Sequence, residues 1–237
     1  MIPVFVPTVP HRAPFRSVLA ERAAVTEFLE DDQYRGSWWN VRRVLKRGVE
    51  YCRERGLAEF CVLEDDVYPV DDFQRHLTNA VASQPGKFFY LFAYYRGVYT
   101  VERATRLNPV LRAYQKGYHW AQSFSYTTCA MLCPVNFIED FFAWVTPERE
   151  ADALFNGSSD PLVTYNNSDW RLMRYMKDAL GWQQFLLTVP CLVEHLGVES
   201  ATKHPDSGEF QRTEICAQYF VNSLERDAWT SKVYKDV

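Results

Sequence analysis

Phe60-Cys61-Val62-Leu63-Glu64-Asp65-Asp66-Val67-Tyr68-Pro69 joins a short apolar run to three consecutive acids. Four apolar residues without alternation read as a strand buried on both faces. Acids are depleted in strands and neighbouring like charges repel, so the strand is expected to stop at Leu63. Adjacent carboxylates become favourable where a divalent cation neutralises them, and Mg²⁺ or Mn²⁺ takes hard oxygen ligands. The competing reading is a solvated turn with Asp as a helix cap. It is the preferred one for Asp71-Asp72, just ahead of a helical pattern.

The flanking sequence sets this strand in a repeating pattern. Upstream, Trp38–Arg55 carries Val41, Val44, Leu45, Val49 and Cys52 at helical spacing, and Gly56 follows as a stop. Ile2–Val6 and Ala24–Leu29 read as strands with a short helix, Phe15–Arg22, between them. Downstream come a helix over Asp71–Ser83 and a strand over Phe88–Ala93. Strands alternating with helices indicate βαβ units and a mainly parallel sheet. Ligands of such sheets bind outside the carboxyl ends of the strands. Both acidic clusters, Glu30-Asp31-Asp32 and Glu64–Asp66, fall at those ends.

Beyond residue 93 the pattern is less regular. Tyr94–Tyr126 is expected to hold a hairpin around Pro109–Lys116 and then a strand over Phe124–Leu132. Helices are predicted over Pro134–Val145, with Pro134 in its first turn, and over Ser168–Leu180, with Ser168 as N-cap. Phe185–Val193 reads as a strand broken by Pro190, and Thr213–Leu224 as a helix in a tail after Glu209. The expected class is α/β: one Rossmann-like domain with a mainly parallel central sheet flanked by helices, a small antiparallel portion and a C-terminal tail.

Composition narrows the function. The 237 residues are 47% hydrophobic and 16% aromatic, with only 10 Gly. Neither GxGxxG nor GxxxxGK[ST] occurs, which removes the Gly-loop nucleotide binders. The net charge of −4 is not that of a strongly basic nucleic-acid binder. No apolar run approaches the ~18 residues of a membrane span, and Met-Ile-Pro-Val-Phe-Val-Pro reads as a first strand, not a leader. The six Cys are scattered without a CxxC, as expected of reduced, buried thiols in a cytoplasmic protein.

A second constellation ends another apolar run: Val189-Pro-Cys-Leu-Val-Glu194-His195-Leu-Gly197, followed by Lys203. His offers a neutral nitrogen to a metal, Gly allows close backbone approach, and Lys can neutralise a phosphate. Taken alone, His195 reads as a hydrogen-bonded structural residue. Beside an acidic triplet it becomes the preferred ligand among the five His.

These segments together resemble the GT-A fold glycosyltransferases that use nucleotide sugars, of the DxD type and bacterial or phage-like. Val62-Leu-Glu-Asp-Asp-Val looks like their acidic metal motif, and Pro190-Cys-Leu-Val-Glu-His-Leu-Gly like their later P-x-L-V-x-H-x-G segment. Asn166-Asn167-Ser168-Asp169-Trp170-Arg171-Leu172 is similar to the acid-led helix that faces the acceptor. Pro3–Thr8 with Arg12, and Asp31-Asp32 followed by Gly36-Ser-Trp-Trp-Asn40, resemble the nucleotide-binding half. The resemblance spans Ile2 to Lys203. It implies a domain over 1–208, with 1–93 holding the nucleotide and 94–208 the acceptor, and an extension over 209–237.

The resemblance also implies roles. Asp66 and His195 would hold Mn²⁺ or Mg²⁺. Glu64 or Asp65 would contact ribose or metal-bound water. Thr8, Arg12 and Asp31 or Asp32 would surround the nucleobase and ribose, and Lys203 would meet the diphosphate. Asp169 would be the acceptor-side general base of an inverting displacement. Such families often carry two acids there, whereas this chain has Ser168-Asp169. The donor would be a nucleoside-diphosphate sugar, a UDP-sugar first. The aromatic stretches Phe88–Tyr99 and Tyr118–Tyr126, with Arg96, Arg103, Arg106, Arg112 and Lys116 between them, suit an acceptor. Aromatic faces stack on sugars or bases, so the acceptor is expected to be a saccharide or a hydroxymethylated pyrimidine in DNA. The alternatives are a nucleotidyltransferase that makes a nucleotide sugar and a non-catalytic sugar- or nucleic-acid-binding module.

Overall fold

Val4–Thr8 (β1) is buried at every position, as a central parallel strand covered on both faces must be. The computed structural model that shows this describes residues 1–92, 94–95, 120–123, 128–151, 168–182, 185–188, 191–195 and 216–217. Residues 94–95, 121–123, 195 and 216–217 are described through their backbone alone. After β1 come a 3-10 turn (Pro10–Phe15), α1 (Arg16–Ala23), β2 (Glu27–Glu30), α2 (Ser37–Arg55), β3 (Glu59–Leu63), β4 (Val67–Pro69), α3 (Phe73–Ser83), β5 (Phe89–Tyr90) and β6 (Tyr94–Tyr95). Then follow β7 (Trp120–Ser123), β8 (Ala130–Pro134), α4 (Val135–Trp144), α5 (Pro147–Ala151), α6 (Ser168–Arg174), a π-helical turn (Tyr175–Ala179), β9 (Phe185–Thr188), β10 (Val193–His195) and β11 (Cys216–Ala217).

Seven strands form one mixed sheet in the order β2-β1-β3-β8-β5-β9-β7. β2, β1, β3, β5 and β9 run one way; β8 and β7 run against them. The sheet is therefore mainly parallel. β10 pairs antiparallel with β4, and β11 with β6, in two small ribbons. β1 lies between β2 and β3, so the chain leaves β1 to one side and returns on the other. The carboxyl ends of β1 and β3 thus frame a topological switch point, where α/β sheets open a crevice.

Strand residues alternate between two cores. Phe5, Phe60, Val62, Met131 and Cys133 face α2, α4 and α6. Val4, Val6, Cys61, Leu63, Ala130 and Leu132 face α1 and α3. On α2, Trp38, Val41, Val44, Leu45, Gly48 and Cys52 are buried. At Gly48 the helix comes so near β3 that an added Cβ would lie 2.4 Å from the Phe60 ring. Gly56 ends α2 in the left-handed region, φ +66°.

Several boundaries differ from expectation. α3 begins at Phe73, after its N-cap residue Asp72 at φ +54°, whose side chain makes no capping hydrogen bond. Instead Asp71 pairs with Arg22 and Asp72 with Arg75. Pro134 precedes α4 as its N-cap residue rather than entering it. The predicted Ser168–Leu180 helix changes to π geometry at Tyr175. Cys216–Ala217, inside the stretch read as helical, is a strand held to β6. The hairpin Pro109–Lys116 lies outside the described residues. Cys52, Cys61, Cys129, Cys133 and Cys191 are buried thiols, none of them joined in a disulfide. No described helix is long and apolar enough to cross a membrane.

A candidate active-site cleft at the switch point

β1 and β3 are in parallel register, Val4 opposite Cys61 and Phe5 opposite Val62, so their carboxyl ends emerge side by side. The chain leaving β1 turns through Pro10–Phe15 and presents Arg12. The chain leaving β3 presents Glu64, Asp65 and Asp66. Between them is a cleft of about 160 Å³. Thr8, Val9, Arg12, Glu64, Asp65 and Asp66 line one part, and Tyr34, Gly36, Ser37, Asn40 and Val41 at the start of α2 line the rest.

Each acid of the triplet has a different partner. The Arg12 Nη2 stands 3.5 Å from Asp66 Oδ2, with both side chains nearly excluded from solvent. Asp65 Oδ2 accepts the Val9 N–H at 3.3 Å. Glu64 Oε1 accepts the Thr128 hydroxyl at 3.3 Å. Each carboxylate is thus tethered separately. Among the described residues, no three His, Cys, Asp or Glu side chains form a metal-binding group.

The electrostatics are strained. Burial, then the charges of Asp66, Asp169 and Asp65, push Glu64 well above the usual carboxylate range. Burial and Asp66 push Asp65 up to about 6, against the opposing pull of Arg12, Thr8 and Val9. Crowded carboxylates with raised pKa values are characteristic of sites that await a cation or a proton. The three acids offer only oxygen donors, the kind a hard divalent ion takes, but among the described residues they do not form a metal-binding group.

Asp169, on α6, does not line the cleft and is linked to Glu64 through Thr128. Its Oδ1 accepts the Thr128 N–H at 2.5 Å. Burial raises its pKa, and the hydrogen bonds from Thr128 oppose the rise. The carboxyl therefore ties α6 to the turn before β8 and does not cap its own helix. Ser168, expected as an N-cap, sends its hydroxyl to Thr128 at 3.0 Å and to Ser37 at 2.9 Å.

His195 is placed by backbone register. β10 runs against β4 with His195 opposite Val67, the residue that follows the acidic triplet. Two segments 128 positions apart thus meet beside Asp66.

Other expected residues are elsewhere. Asp31 is fully buried and does not line the cleft. Its carboxylate accepts the Gln33 and Arg35 N–H groups, the Arg35 Nε and the Asn40 Nδ2. Burial works to raise its pKa, but these hydrogen bonds outweigh it and the net shift is downward. With its lone pairs spent on the loop before α2, Asp31 is a positioning residue. Asp32 is 71% exposed and faces Arg35 at 3.9 Å. Lys203 and the basic residues from Arg96 to Lys116 lie outside the described residues.

Sequence reasoning missed Thr128, which had no motif around it, and Tyr34. Tyr34 sits at φ +51°, a costly conformation for an aromatic residue, and is half exposed at the cleft. Its ring stacks on His11 with centroids 5.8 Å apart, and its hydroxyl is 3.2 Å from His11 Nδ1.

No protein-family model matches the chain, and no curated protein matches it. Among solved structures, A197 from STIV is similar over 93% of this chain and 95% of its own. The TM-score is 0.43 and the sequence identity 13%. A likeness at that level carries no argument about function.

Proposed function

We propose that the cleft binds a nucleoside-diphosphate sugar with Mn²⁺ or Mg²⁺ and that the protein is a glycosyltransferase. One observation carries this reading. Thr128 joins Glu64 of the acidic loop to Asp169 of α6 beside the cleft, which supports a donor-side and an acceptor-side acid acting together. Asp66 and His195 are the residues to hold the cation. A bound cation would supply Lewis-acid stabilisation to the departing diphosphate. Arg12, buried at the cleft floor, provides a fixed positive charge on the same side. Thr8 and Val9 hold Asp65 in place. Asp169 takes the proton of the acceptor hydroxyl; its raised pKa makes it a stronger base than a solvated aspartate. The acceptor is a saccharide or a hydroxymethylated pyrimidine of DNA.

A binding module without turnover is the second reading. The Arg12–Asp66 ion pair favours it, because that pair already partly neutralises the triplet. Thermal denaturation with Mn²⁺ and UDP, GDP or CDP tests both. Mn²⁺ with one nucleotide should raise Tm more than either alone, and Asp66→Asn should abolish the gain. Slow hydrolysis of the matching nucleotide sugar marks the enzyme. Asp169→Asn should keep the thermal shift and lower turnover by about 10²–10⁴-fold. The absence of a shift with every nucleotide would overturn both readings. A shift without donor hydrolysis or transfer would leave the binding module.

A further inference from the structure

The loop between β2 and α2 is built around one side chain. The Asp31 carboxylate accepts the backbone N–H of Gln33 at 3.2 Å and that of Arg35 at 2.6 Å, so both neighbours of Tyr34 are pinned to one fully buried group. The same carboxylate accepts the Arg35 Nε at 3.1 Å and the Asn40 Nδ2 at 3.0 Å. Arg35 in turn lies over Trp39, its guanidinium carbon 3.4 Å from the ring centre. Between these pins Tyr34 is held at φ +51°. A bulky residue stays in the left-handed region only where its surroundings impose it, and such residues gather at ligand sites.

Tyr34 gains no core burial in return. It is 53% exposed, and among the side chains described it is the only exposed Phe, Tyr or Trp. It lines the cleft. His11, from the 3-10 turn after β1, lies against the ring at an interplanar angle of 13°, with centroids 5.8 Å apart. The Tyr34 hydroxyl is 3.2 Å from His11 Nδ1. The backbone is thus fixed by Asp31 and the far end of the ring by His11. An aromatic surface is held in place before any ligand arrives, which lowers the ordering cost of binding.

Resting on the donor reading above, we propose that Tyr34 recognises the base of the nucleotide by stacking its exposed ring on it, and that Asp31 and His11 are positioning residues that act through Tyr34. The resemblance implied a direct contact between Asp31 and the nucleobase. The Asp31 oxygens are turned to Gln33, Arg35 and Asn40 instead, and the residue at the apex of the loop takes that part. The phosphates are left to the part of the cleft that Arg12 and the acidic loop line.

The test is calorimetric binding to the Mn²⁺-loaded protein of two ligands: whichever of UDP, GDP or CDP binds most tightly, and ribose 5-diphosphate, which lacks only the base. Base stacking on one aromatic ring predicts that Tyr34→Ala weakens the nucleotide about five- to 150-fold and leaves ribose 5-diphosphate unchanged. Tyr34→Phe keeps the ring and should bind the nucleotide within a few-fold of wild type. Asp31→Asn should weaken the nucleotide selectively, and should add nothing in the Tyr34→Ala background. If Asp31→Asn fails to fold, Tyr34→Ala and Tyr34→Phe still decide. Equal losses on both ligands would mark a packing defect and overturn the proposal. So would unchanged nucleotide binding in Tyr34→Ala, and so would tighter binding, the sign of a ring that latches an empty cleft. Any of these results, with the wild type binding normally, removes this inference alone. If the wild type binds no nucleoside diphosphate with Mn²⁺, the glycosyltransferase reading fails and this inference falls with it.

Discussion

Glu64 shows how a site residue can oppose stability. An acid whose pKa is raised by folding binds its proton more tightly in the folded state. Its contribution is neutral below the unfolded pKa of about 4.3 and becomes a penalty as pH rises toward the folded value. At neutral pH without a cation, Glu64→Gln should relieve crowding from Asp66, Asp169 and Asp65 and keep an oxygen for Thr128 to bond. The expected gain is about 2–4 °C in Tm for each kcal/mol relieved, with loss of any Mn²⁺-dependent shift. An unchanged or lower Tm would show that the crowding is already neutralised. This cost was legible in part. The triplet Glu64–Asp66 stood out because three acids end an apolar strand. Asp31 looked the same in one dimension, yet its carboxylate is consumed by Gln33, Arg35 and Asn40. A sequence shows that an acid lies at a strand end. Whether its lone pairs face ligand or backbone depends on the turn that follows.

α2 positions much of the cleft and is fixed against the sheet by a close approach. Gly48 has no side chain because Phe60 fills the space one would need. Gly48→Ala should cost about 1–3 kcal/mol from overpacking, despite the higher helix propensity of Ala. Trimming the ring in the double variant Gly48→Ala, Phe60→Leu should recover part of the loss. If Gly48→Ala alone were stabilising, α2 would have room to shift and its end at Ser37 would not be rigid. The helix itself was plain from Val41, Val44, Leu45 and Cys52 at helical spacing. The reversed strand β8 was not, because an apolar run has the same composition in either direction. The two-residue strand at Cys216–Ala217 was misread because a short segment takes its conformation from its partner, here Tyr94–Tyr95.

At the scale of the molecule, the cleft draws on three separated segments: Pro7–Arg12, Tyr34–Val41 and Glu64–Asp66. Hydrogen exchange with and without Mn²⁺ and UDP should therefore show protection in all three together. Protection confined to the far face, on α3, would place binding elsewhere. The alternation of strand and helix through residue 93 made this half of the fold readable. The convergence of Asp169 and His195 on it depends on contacts more than 40 residues distant in sequence, which no local pattern encodes. The β4–β10 pairing also has a consequence in time. Val67 leaves the ribosome long before His195. At about 5–20 residues per second the interval is roughly 6–26 s. Throughout it β4 has no β10 beside it, and until Ala130–Pro134 is made β3 has no β8, so the early half-made chain exposes two strand edges and an uncovered acidic loop. Nascent chains stalled between these points should be the form most in need of a chaperone, and slowed translation over this interval should lower the yield of folded protein.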